Sequence, residues 1–359
     1  MYYMTGLLNH VKRVQACVVE ADGEATVNAR DLSLDVRVGM QSRQFAPQFN
    51  SWRDGRRFYT PTFSADVRAF IGWRPYAARR WPTTAEKLAF KDFASAAGVR
   101  TPVSWREASG GVRQFIIKQN KSSFGDGIRG PFERLEAANV LHRLKPGEYY
   151  EAFIPGRIAK AWYLNGAWLC LELRPPPFVV GDSRSTVLDL AVKRHPPPVD
   201  QLRLSWIVAS QGHRLGDVLP DGKRVVIDFK YASLFDDWSF DNENVLSAVR
   251  DTSIGKQFQE AGQRLVSAIP DDMRHDTLIT LDAIVDESDQ VWFLEMNSNP
   301  MVHPDTYEAI IKNAFGISLS PSKAESEAKV SREPATSSAG RDGNGQLGRE
   351  AARGGGSDT

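Results

Sequence analysis

Two carboxylates and one amide side chain stand on neighbouring apolar segments near the C-terminal end of the sequence. Glu295 and Asn297 alternate along one predicted strand, so their side chains share a face. If this strand forms a hairpin with Leu278–Val285, Asp282 lies opposite Phe293 on that same face. Two carboxylates and an amide oxygen are hard ligands that suit Mg²⁺, with Mn²⁺ as an alternative ion. The sequence therefore predicts a metal site, which fits the apolar surroundings better than a hairpin with one solvent-facing polar side.

A glycine-rich loop follows a short apolar strand that ends at Lys118. Within this loop, Gly125, Gly127 and Gly130 form the pattern G-x-G-x-x-G. Glycines let backbone N–H groups turn toward phosphate oxygens, and Lys118 can place a positive charge on the phosphates. The missing G-K-[S/T] ending excludes a P-loop, and the arrangement is closer to a kinase-type loop folded over phosphates. An ordinary glycine-rich hairpin with a surface lysine is the alternative.

A third segment, Glu148–Gly156, is an apolar strand that carries acidic residues. A carboxylate in this segment can bond the hydroxyls of a ribose, and its backbone groups can bind a purine. The segment is unspecific by itself, so it gains meaning only beside the other two motifs.

The elements that must position these motifs are read from apolar periodicity and from cap and turn residues. Helices are predicted at Thr84–Gly98, Phe132–Leu144, Ser253–Ile269 and Pro304–Phe315. Strands are predicted at Val11–Val19, Leu32–Val38, Gln114–Lys118, Arg203–Ser210, Arg224–Phe229, Leu278–Val285 and Gln290–Met296, with two or three more in Glu148–Leu173. Because helices and strands do not alternate strictly, the pattern predicts an α+β class with two lobes, at about 84–150 and 151–316.

Residues 1–83 form an N-terminal region of different character. Its stretch Gln41–Trp81 holds eight arginines and ten aromatic residues. This composition is typical of an arginine-rich surface over an aromatic core. It also suits a site for a small acidic substrate, or, less well, for single-stranded nucleic acid. At the other end, residues 317–359 are expected to be a disordered tail, since too few apolar residues remain to offset the entropy of ordering.

The composition excludes several classes of protein. The chain has 359 residues with 45 basic and 44 acidic side chains, a net charge of +1. A generally basic nucleic-acid coat and a generally acidic disordered chain are both excluded. No apolar stretch is long enough for a membrane span, and the N-terminus lacks a signal-peptide pattern. Only Cys17 and Cys170 occur, so a reducing cytoplasm is the expected compartment.

Taken together and in this order, the motifs resemble the ATP-grasp superfamily of ligases over about residues 84–316. The resemblance is carried by the Glu86-Lys87 helix, Ile117-Lys118 with its glycine loop, Glu151-Ala152-Phe153-Ile154-Pro155-Gly156, Val179–Val187, and Asp282 with Glu295–Pro300. The third and fourth of these segments look most like the branches of cyanophycin synthetase and D-alanine–D-alanine ligase. The resemblance implies two α+β lobes that grip ATP.

The same resemblance implies roles for individual residues. It implies contacts to ATP and its phosphates from Lys87, Lys118, Gly125, Gly127, Glu151 and Ile154, with Glu148 as the candidate for the ribose. It implies metal ligands at Asp282, Glu295 and Asn297. It also implies that Arg174 steadies the transferred phosphoryl group or an acyl phosphate, with Lys118 beside it. Lys160 stands where related enzymes often have arginine.

The function implied is ATP-dependent ligation of a carboxylate to an amine or thiol through an acyl phosphate, with ADP and phosphate released. The substrates expected are an amino acid or small peptide in a biosynthetic pathway, with a homo-oligomer as one form of the protein. A hydroxyl kinase of the same family is one alternative. A non-catalytic nucleotide-binding module that interacts through residues 1–83 is another, and steep salt dependence of nucleic-acid binding would favour it.

Overall fold

A computed structural model describes residues 2–54, 56–107, 114–134, 139–195, 199–231, 233, 235 and 243–317. These residues belong to one contact unit, Met1–Leu319. The predicted tail lies outside the described residues except for Ile317. In the described ranges, no helix combines the length and the apolar character needed to cross a membrane.

Within the described ranges the strands lie in four sheets, and every strand pair of these sheets is antiparallel. In chain order the described strands are β1 (Gly23–Val27), β2 (Leu34–Val38), β3 (Gln41–Arg53), β4 (Arg56–Thr60), β5 (Val67–Arg74), β6 (Ser104–Trp105), β7 (Phe115–Gln119), β8 (Arg129–Phe132), β9 (Glu148–Ala152), β10 (Arg157–Leu164), β11 (Ala167–Arg174), β12 (Phe178–Val180), β13 (Arg224–Val226), β14 (Leu278–Val285) and β15 (Val291–Asn297).

The helices are mostly short and lie at the ends of the sheets or across their faces. In chain order the described α-helices are α1 (Tyr2–Val19), α2 (Pro82–Ala85), α3 (Lys87–Ala96), α4 (Val187–Arg194), α5 (Gln201–Ala209), α6 (Leu246–Val249), α7 (Ser253–Ser267), α8 (Asp271–Arg274) and α9 (Tyr307–Phe315). Strands and helices of this order confirm the predicted α+β class.

A four-stranded sheet in the order β11-β10-β14-β15 separates two hydrophobic cores. Side chains alternate along β10, so Trp162 and Leu164 enter one core while Tyr163 enters the other. The core that contains Tyr163 packs against α3 and α7. Helix α7 approaches closely, since a Cβ on Gly262 would lie 2.2 Å from Cε1 of Tyr163.

The other core joins this sheet to the N-terminal region. It contains Trp162, Cys170 and Leu278 from the sheet, together with residues of α1, the β1–β5 sheet and α9. Gly72 on β5 lies so close to Val302 that a Cβ would be 2.5 Å from the valine Cβ. The β1–β5 sheet (the N-terminal sheet below) is therefore packed directly onto the strands that carry the predicted metal ligands.

The remaining sheets frame the glycine-rich loop. Strands β6, β9, β7 and β8 form a sheet in that order, with Lys118 near the end of β7 and Glu151 on β9. Strands β12 and β13 pair beside a small core formed with α4 and α5. The glycine-rich loop follows β7, as the sequence predicts, and leads into β8, which the sequence does not predict.

Three segments were predicted with the wrong type of secondary structure. Two predicted strands are helical, and one predicted helix, described in the next paragraph, is not found. Val11–Val19 lies in α1, because Leu7, His10, Val14, Cys17 and Val18 are buried at helical spacing rather than alternately. Arg203–Ser210 lies in α5, where Leu204, Ile207 and Val208 face the core and Asp200 caps the first turn.

The predicted helix Phe132–Leu144 is not found in its described part. Phe132 ends β8, and Val140–His142 form a 3₁₀ turn; residues 135–138 lie outside the described ranges. The predicted helix Thr84–Gly98 is interrupted at Glu86, between α2 and α3.

Candidate nucleotide and metal site

A cavity of about 870 Å³ lies between the glycine-rich loop, the start of β10, strands β14 and β15, and the N-terminal sheet. The structure brings most of the predicted site residues to its walls, namely Lys87, Lys118, Gly125, Glu151, Ile154, Arg174, Asp282, Glu295 and Asn297. Segments as distant in sequence as β4 and β15 thus share one cavity.

Lys118 is held in place by a buried carboxylate on the neighbouring strand. Glu151 accepts Lys118 Nζ at 2.6 Å and Lys91 Nζ at 2.8 Å, one on each carboxylate oxygen, and is only 1% exposed. Burial alone would raise the pKa of Glu151, but the two ammonium groups lower it below its usual value. Glu151 therefore stays ionised and acts on the cavity by positioning Lys118.

The glycine-rich loop approaches the cavity in a left-handed conformation. Phe124, Gly125 and Gly127 have φ values of 60°, 69° and 74°, which only glycine adopts without strain. A Cβ on Gly125 would lie 2.9 Å from Cδ of Lys230, so this glycine also permits a close approach. The carbonyl of Ser122 accepts a hydrogen bond from Lys87 Nζ at 2.6 Å. This hydrogen bond holds the loop next to Lys87, one of the two lysines that are predicted to contact phosphate.

The predicted metal ligands converge through a local irregularity of the sheet. A bulge between Asp282 and Ala283 shifts the register, so Asp282 lies opposite Glu295, and Phe293 pairs with Ala283. The expected pairing of Asp282 with Phe293 is therefore wrong, because the sequence does not reveal the extra residue. The bulge sets the two carboxylates directly across from each other. Asn297 Nδ2 donates to Asp282 Oδ2 at 3.4 Å.

Two ammonium groups lie on this pair of carboxylates. Lys160 Nζ is 2.5 Å from Asp282 Oδ1, and Lys87 Nζ is 3.3 Å from Glu295 Oε2. Burial, together with the charge of Glu295, raises the pKa of Asp282 in spite of Lys160. Although burial acts in the opposite direction, Lys87 lowers the pKa of Glu295. Adjacent, partly exposed carboxylates with an amide oxygen beside them form a donor set that fits a divalent cation.

That donor set is not built from acids and histidines alone. Among the residues that the structure describes, no group of three or more His, Cys, Asp or Glu side chains could hold a metal. A third protein ligand would thus be the amide oxygen of Asn297, as the motif predicts, and water or substrate oxygens would complete the shell.

Arg174 and Lys160 lie on the cavity wall formed by β10 and β11. Arg174 donates to the carbonyl of Tyr231, and its guanidinium lies 5.3 Å from the ring centroid. Lys160 Nζ lies 4.5 Å from the centroid of the same ring. The hydroxyl of Tyr231 donates to Glu172 at 2.6 Å. Tyr231 therefore contacts both cations, and Lys160 also pairs with Asp282.

Two predicted nucleotide residues are not among those that line the cavity. Glu148 accepts Arg129 Nη2 at 2.6 Å and the backbone N–H of Lys145 at 2.7 Å. These two donors occupy its carboxylate outside the residues that line the cavity, and its contact to the ribose stays a prediction. Gly127 packs toward Gln119, where a Cβ would lie 3.2 Å from the glutamine Cβ, and serves the shape of the loop.

Sequence reasoning missed Lys230 and Tyr59, which line the cavity, and Arg57, which contacts the lining residue Phe124. Lys230 lines the wall opposite Gly125, and burial, followed by the charge of Arg203, lowers its pKa to about 8. Arg57 donates to the carbonyl of Phe124 at 3.1 Å, and Tyr59 packs edge-on against the Phe124 ring at 4.8 Å. The arginine-aromatic composition of residues 41–81 was the available signal, but it does not select these two positions.

The chain shows weak similarity to curated proteins and to solved structures. No family model matches the chain. The curated "Glutathione biosynthesis bifunctional protein GshAB" of Streptococcus thermophilus is 23% identical, over 54% of this chain and 28% of the relative. The chain therefore spans less than a third of the length of this relative.

Among solved structures, the chain is similar to a bifunctional glutathione synthetase from Pasteurella multocida, with 16% identity, a TM-score of 0.42, and coverage of 85% of this chain and 43% of that one. It is also similar to the D-alanine-D-alanine ligase from Coxiella burnetii, with 14% identity, a TM-score of 0.34, and coverage of 70% and 61%.

Proposed function

We propose that the chain is an ATP-dependent ligase of the ATP-grasp kind, which joins a carboxylate to an amine or thiol through an acyl phosphate. The observation that carries the proposal is one cavity that unites Lys118, the glycine-rich loop and the Asp282–Glu295 carboxylate pair. Positive charge and turned backbone suit phosphates, whereas adjacent carboxylates suit the cation that accompanies them. Neither feature alone would favour this chemistry.

The proposed reaction uses ATP to activate a carboxylate that would otherwise not react with an amine. A carboxylate does not react with an amine at neutral pH, because its oxygen is a poor leaving group. Transfer of the γ-phosphoryl group of ATP makes an acyl phosphate, whose phosphate leaves when the amine attacks. The transfer needs in-line positioning and neutralisation of charge rather than a protein nucleophile.

The side chains divide this work. Lys118, fixed by Glu151, and Lys87, fixed by Ser122, would bind phosphate oxygens. Arg174 and Lys160 would hold the transferred group or the carboxylate on the opposite side. Asp282, Glu295 and Asn297 would hold Mg²⁺ or Mn²⁺, which when bound neutralises charge that develops on the phosphates. The loop at Phe124–Gly125 would exclude water from the intermediate.

The remaining expectations become part of this proposal. The ATP-grasp portion comprises about residues 84–316 in two lobes, and residues 1–83 supply part of the substrate site. The substrates are small molecules, an amino acid or peptide among them. The buried free thiols of Cys17 and Cys170 suit a reducing cytoplasm.

The test is an acyl-phosphate trap. The purified chain is incubated with ATP, Mg²⁺, hydroxylamine and pools of amino acids or other carboxylic acids, and hydroxamate and ADP are measured. The proposal expects hydroxamate and ADP in equal amounts from one pool. ADP without hydroxamate would indicate a hydroxyl kinase, AMP would contradict the acyl-phosphate route, and no turnover with any pool would favour a non-catalytic binding module.

A further inference from the structure

The two carboxylates proposed as metal ligands each contact an ammonium group, and these two groups are fixed in different ways. Lys160 Nζ lies 2.5 Å from Asp282 Oδ1, and Lys87 Nζ lies 3.3 Å from Glu295 Oε2. All four residues line the cavity. Two positive charges thus balance two negative ones, so a cation that binds these carboxylates must overcome the repulsion of both lysines.

Lys160 is fixed within the sheet. It lies on β10 between Glu172 on β11 and Asp282 on β14, which are both its register partners. Its ammonium group lies 4.5 Å from the centroid of the Tyr231 ring, and its side chain is only 8% exposed. Because two neighbouring strands and this ring confine the side chain, we expect Lys160 to stay beside Asp282.

Lys87 is fixed to the glycine-rich loop rather than to the sheet. It is the first residue of α3, and its backbone N–H donates to the carbonyl of Asn120 at the start of the loop. Its ammonium group donates to the carbonyl of Ser122 at 2.6 Å, which is a shorter contact than the one with Glu295. Lys87 can therefore leave Glu295 and keep its contacts with the loop.

Nucleotide binding gives Lys87 a stronger partner than Glu295. In the proposed function Lys87 contacts the phosphates of ATP, and a triphosphate carries several negative charges instead of one. The phosphates therefore compete with Glu295 for the ammonium group. Once Lys87 has moved, Glu295 lies next to Asp282 without its own counter-charge, and an adjacent pair of this kind attracts a divalent cation.

We propose that Lys87 couples metal binding to nucleotide binding, because its transfer from Glu295 to the phosphates frees this carboxylate for Mg²⁺ or Mn²⁺. The metal then binds weakly to the chain alone and tightly together with nucleotide. By linkage, the metal raises the affinity for nucleotide by the same factor. This proposal rests on the metal ligands and phosphate contacts of the proposed function, but not on the ligation step.

The first measurement is metal binding without nucleotide. Mn²⁺ is titrated into the full chain, and unbound Mn²⁺ is quantified by electron paramagnetic resonance. Lys87→Met should bind Mn²⁺ about 10-fold tighter than the wild type, since the metal no longer competes with an ammonium group at Glu295. Lys87→Arg should bind as weakly as the wild type, because a guanidinium still pairs with the carboxylate. Lys121→Met is the control and should match the wild type, since the exposed Lys121 pairs with Glu86 instead.

The second measurement gives the coupling itself. The affinity for a non-hydrolysable ATP analogue is measured by calorimetry in Mg²⁺ and in EDTA, and the ratio of the two dissociation constants is the coupling factor. Lys87→Met should lower this factor by about 10-fold, although both affinities fall because a phosphate contact is lost. Lys160→Met should leave the factor unchanged, because Lys160 lies beside Asp282 with and without nucleotide.

Three results would overturn the proposal. It fails if the wild type binds Mn²⁺ alone as tightly as Lys87→Met, if Lys87→Met keeps the coupling factor of the wild type, or if Lys160→Met lowers that factor equally. Its failure differs from failure of the proposed function. Coupling as expected without hydroxamate in the trap contradicts the ligation step alone, whereas hydroxamate formation with an unchanged coupling factor in Lys87→Met contradicts the role of Lys87 alone.

Discussion

The two charged clusters of the cavity have opposite compositions. Around Glu151, two ammonium groups share one carboxylate, and both of its oxygens are occupied. Around Asp282 and Glu295, two carboxylates lie together, and the pKa of Asp282 is raised by burial and by its neighbour. The first cluster is satisfied within the protein and fixes a lysine in place. The second pairs its two carboxylates with the ammonium groups of Lys160 and Lys87, and in our proposal a divalent cation binds there.

The largest expected effect comes from breaking the satisfied cluster. Glu151→Gln leaves Lys91 and Lys118 buried together without a counter-charge, so we expect the free energy of unfolding to fall by about 3–5 kcal/mol. Chemical denaturation with urea measures this loss. Glu86→Gln is the control, since the carboxylate of Glu86 pairs with the exposed Lys121 and lies near the surface. Its effect on the free energy of unfolding should be much smaller than that of Glu151→Gln, because solvent screens exposed ion pairs.

The pH dependence of stability in the wild type and in Glu151→Gln gives a second test of this ion pair. The folded-state pKa of Glu151 lies below its usual 4.5. Its stabilising effect is therefore complete above that pH and is lost as the pH falls through the folded-state pKa. The wild type and Glu151→Gln should converge in stability below pH 4.5, and a constant difference would contradict the ion-pair account.

The second cluster should respond more strongly in turnover than in stability. Glu295→Gln removes the half-buried partner of Lys87, whose charge lowers the pKa of Glu295, so we expect a modest fall in melting temperature. Because a proposed metal ligand is lost, ADP formation should fall by about 100-fold or more. Glu260→Gln, on the exposed face of α7, is the control and should keep full activity. Full activity in Glu295→Gln would refute its role as a ligand.

The smallest expected effect concerns the contact between the N-terminal sheet and the glycine-rich loop. Arg57→Ala removes a buried guanidinium that holds the carbonyl of Phe124, so we expect KM for ATP to rise by about 10-fold. ADP released without hydroxamate should also increase, because the loop excludes water less well. Arg53→Ala is the control on the same hairpin, since Arg53 is exposed and pairs with Asp66. Equal effects of both variants would contradict a specific contact.

The sequence predicts the positions of some residues in the Asp282–Glu295 cluster but not of others. Spacing along one strand places Glu295 and Asn297 on one face, because strand alternation is a local property. The same alternation cannot place Asp282, since the bulge after it depends on how β14 and β15 pair in three dimensions. The convergence on one hairpin was predicted, but the residue opposite Asp282 was not.

Long-range contacts explain the other differences. Nothing local in Glu151 indicates that Lys91, sixty residues earlier, occupies one of its oxygens. Glu148 was a plausible ribose ligand by sequence, but Arg129 and Lys145 hold it elsewhere. The N-terminal region was predicted least well. Part of its helix α1 was predicted as a strand, because the prediction used the apolar content of Val11–Val19 and not the helical spacing of its apolar residues. Its place at the cavity depends on a core shared with Trp162 and Leu278.

The most direct test of the proposed function follows one oxygen atom. The carboxylic acid that responds in the hydroxylamine trap is labelled with ¹⁸O in both carboxylate oxygens, and it is incubated with the wild-type chain, ATP, Mg²⁺ and an amine. An acyl-phosphate route transfers one labelled oxygen from the carboxylate to phosphate, so the released phosphate should carry one ¹⁸O for each ligation. Unlabelled phosphate, formed together with the amide product, would contradict it.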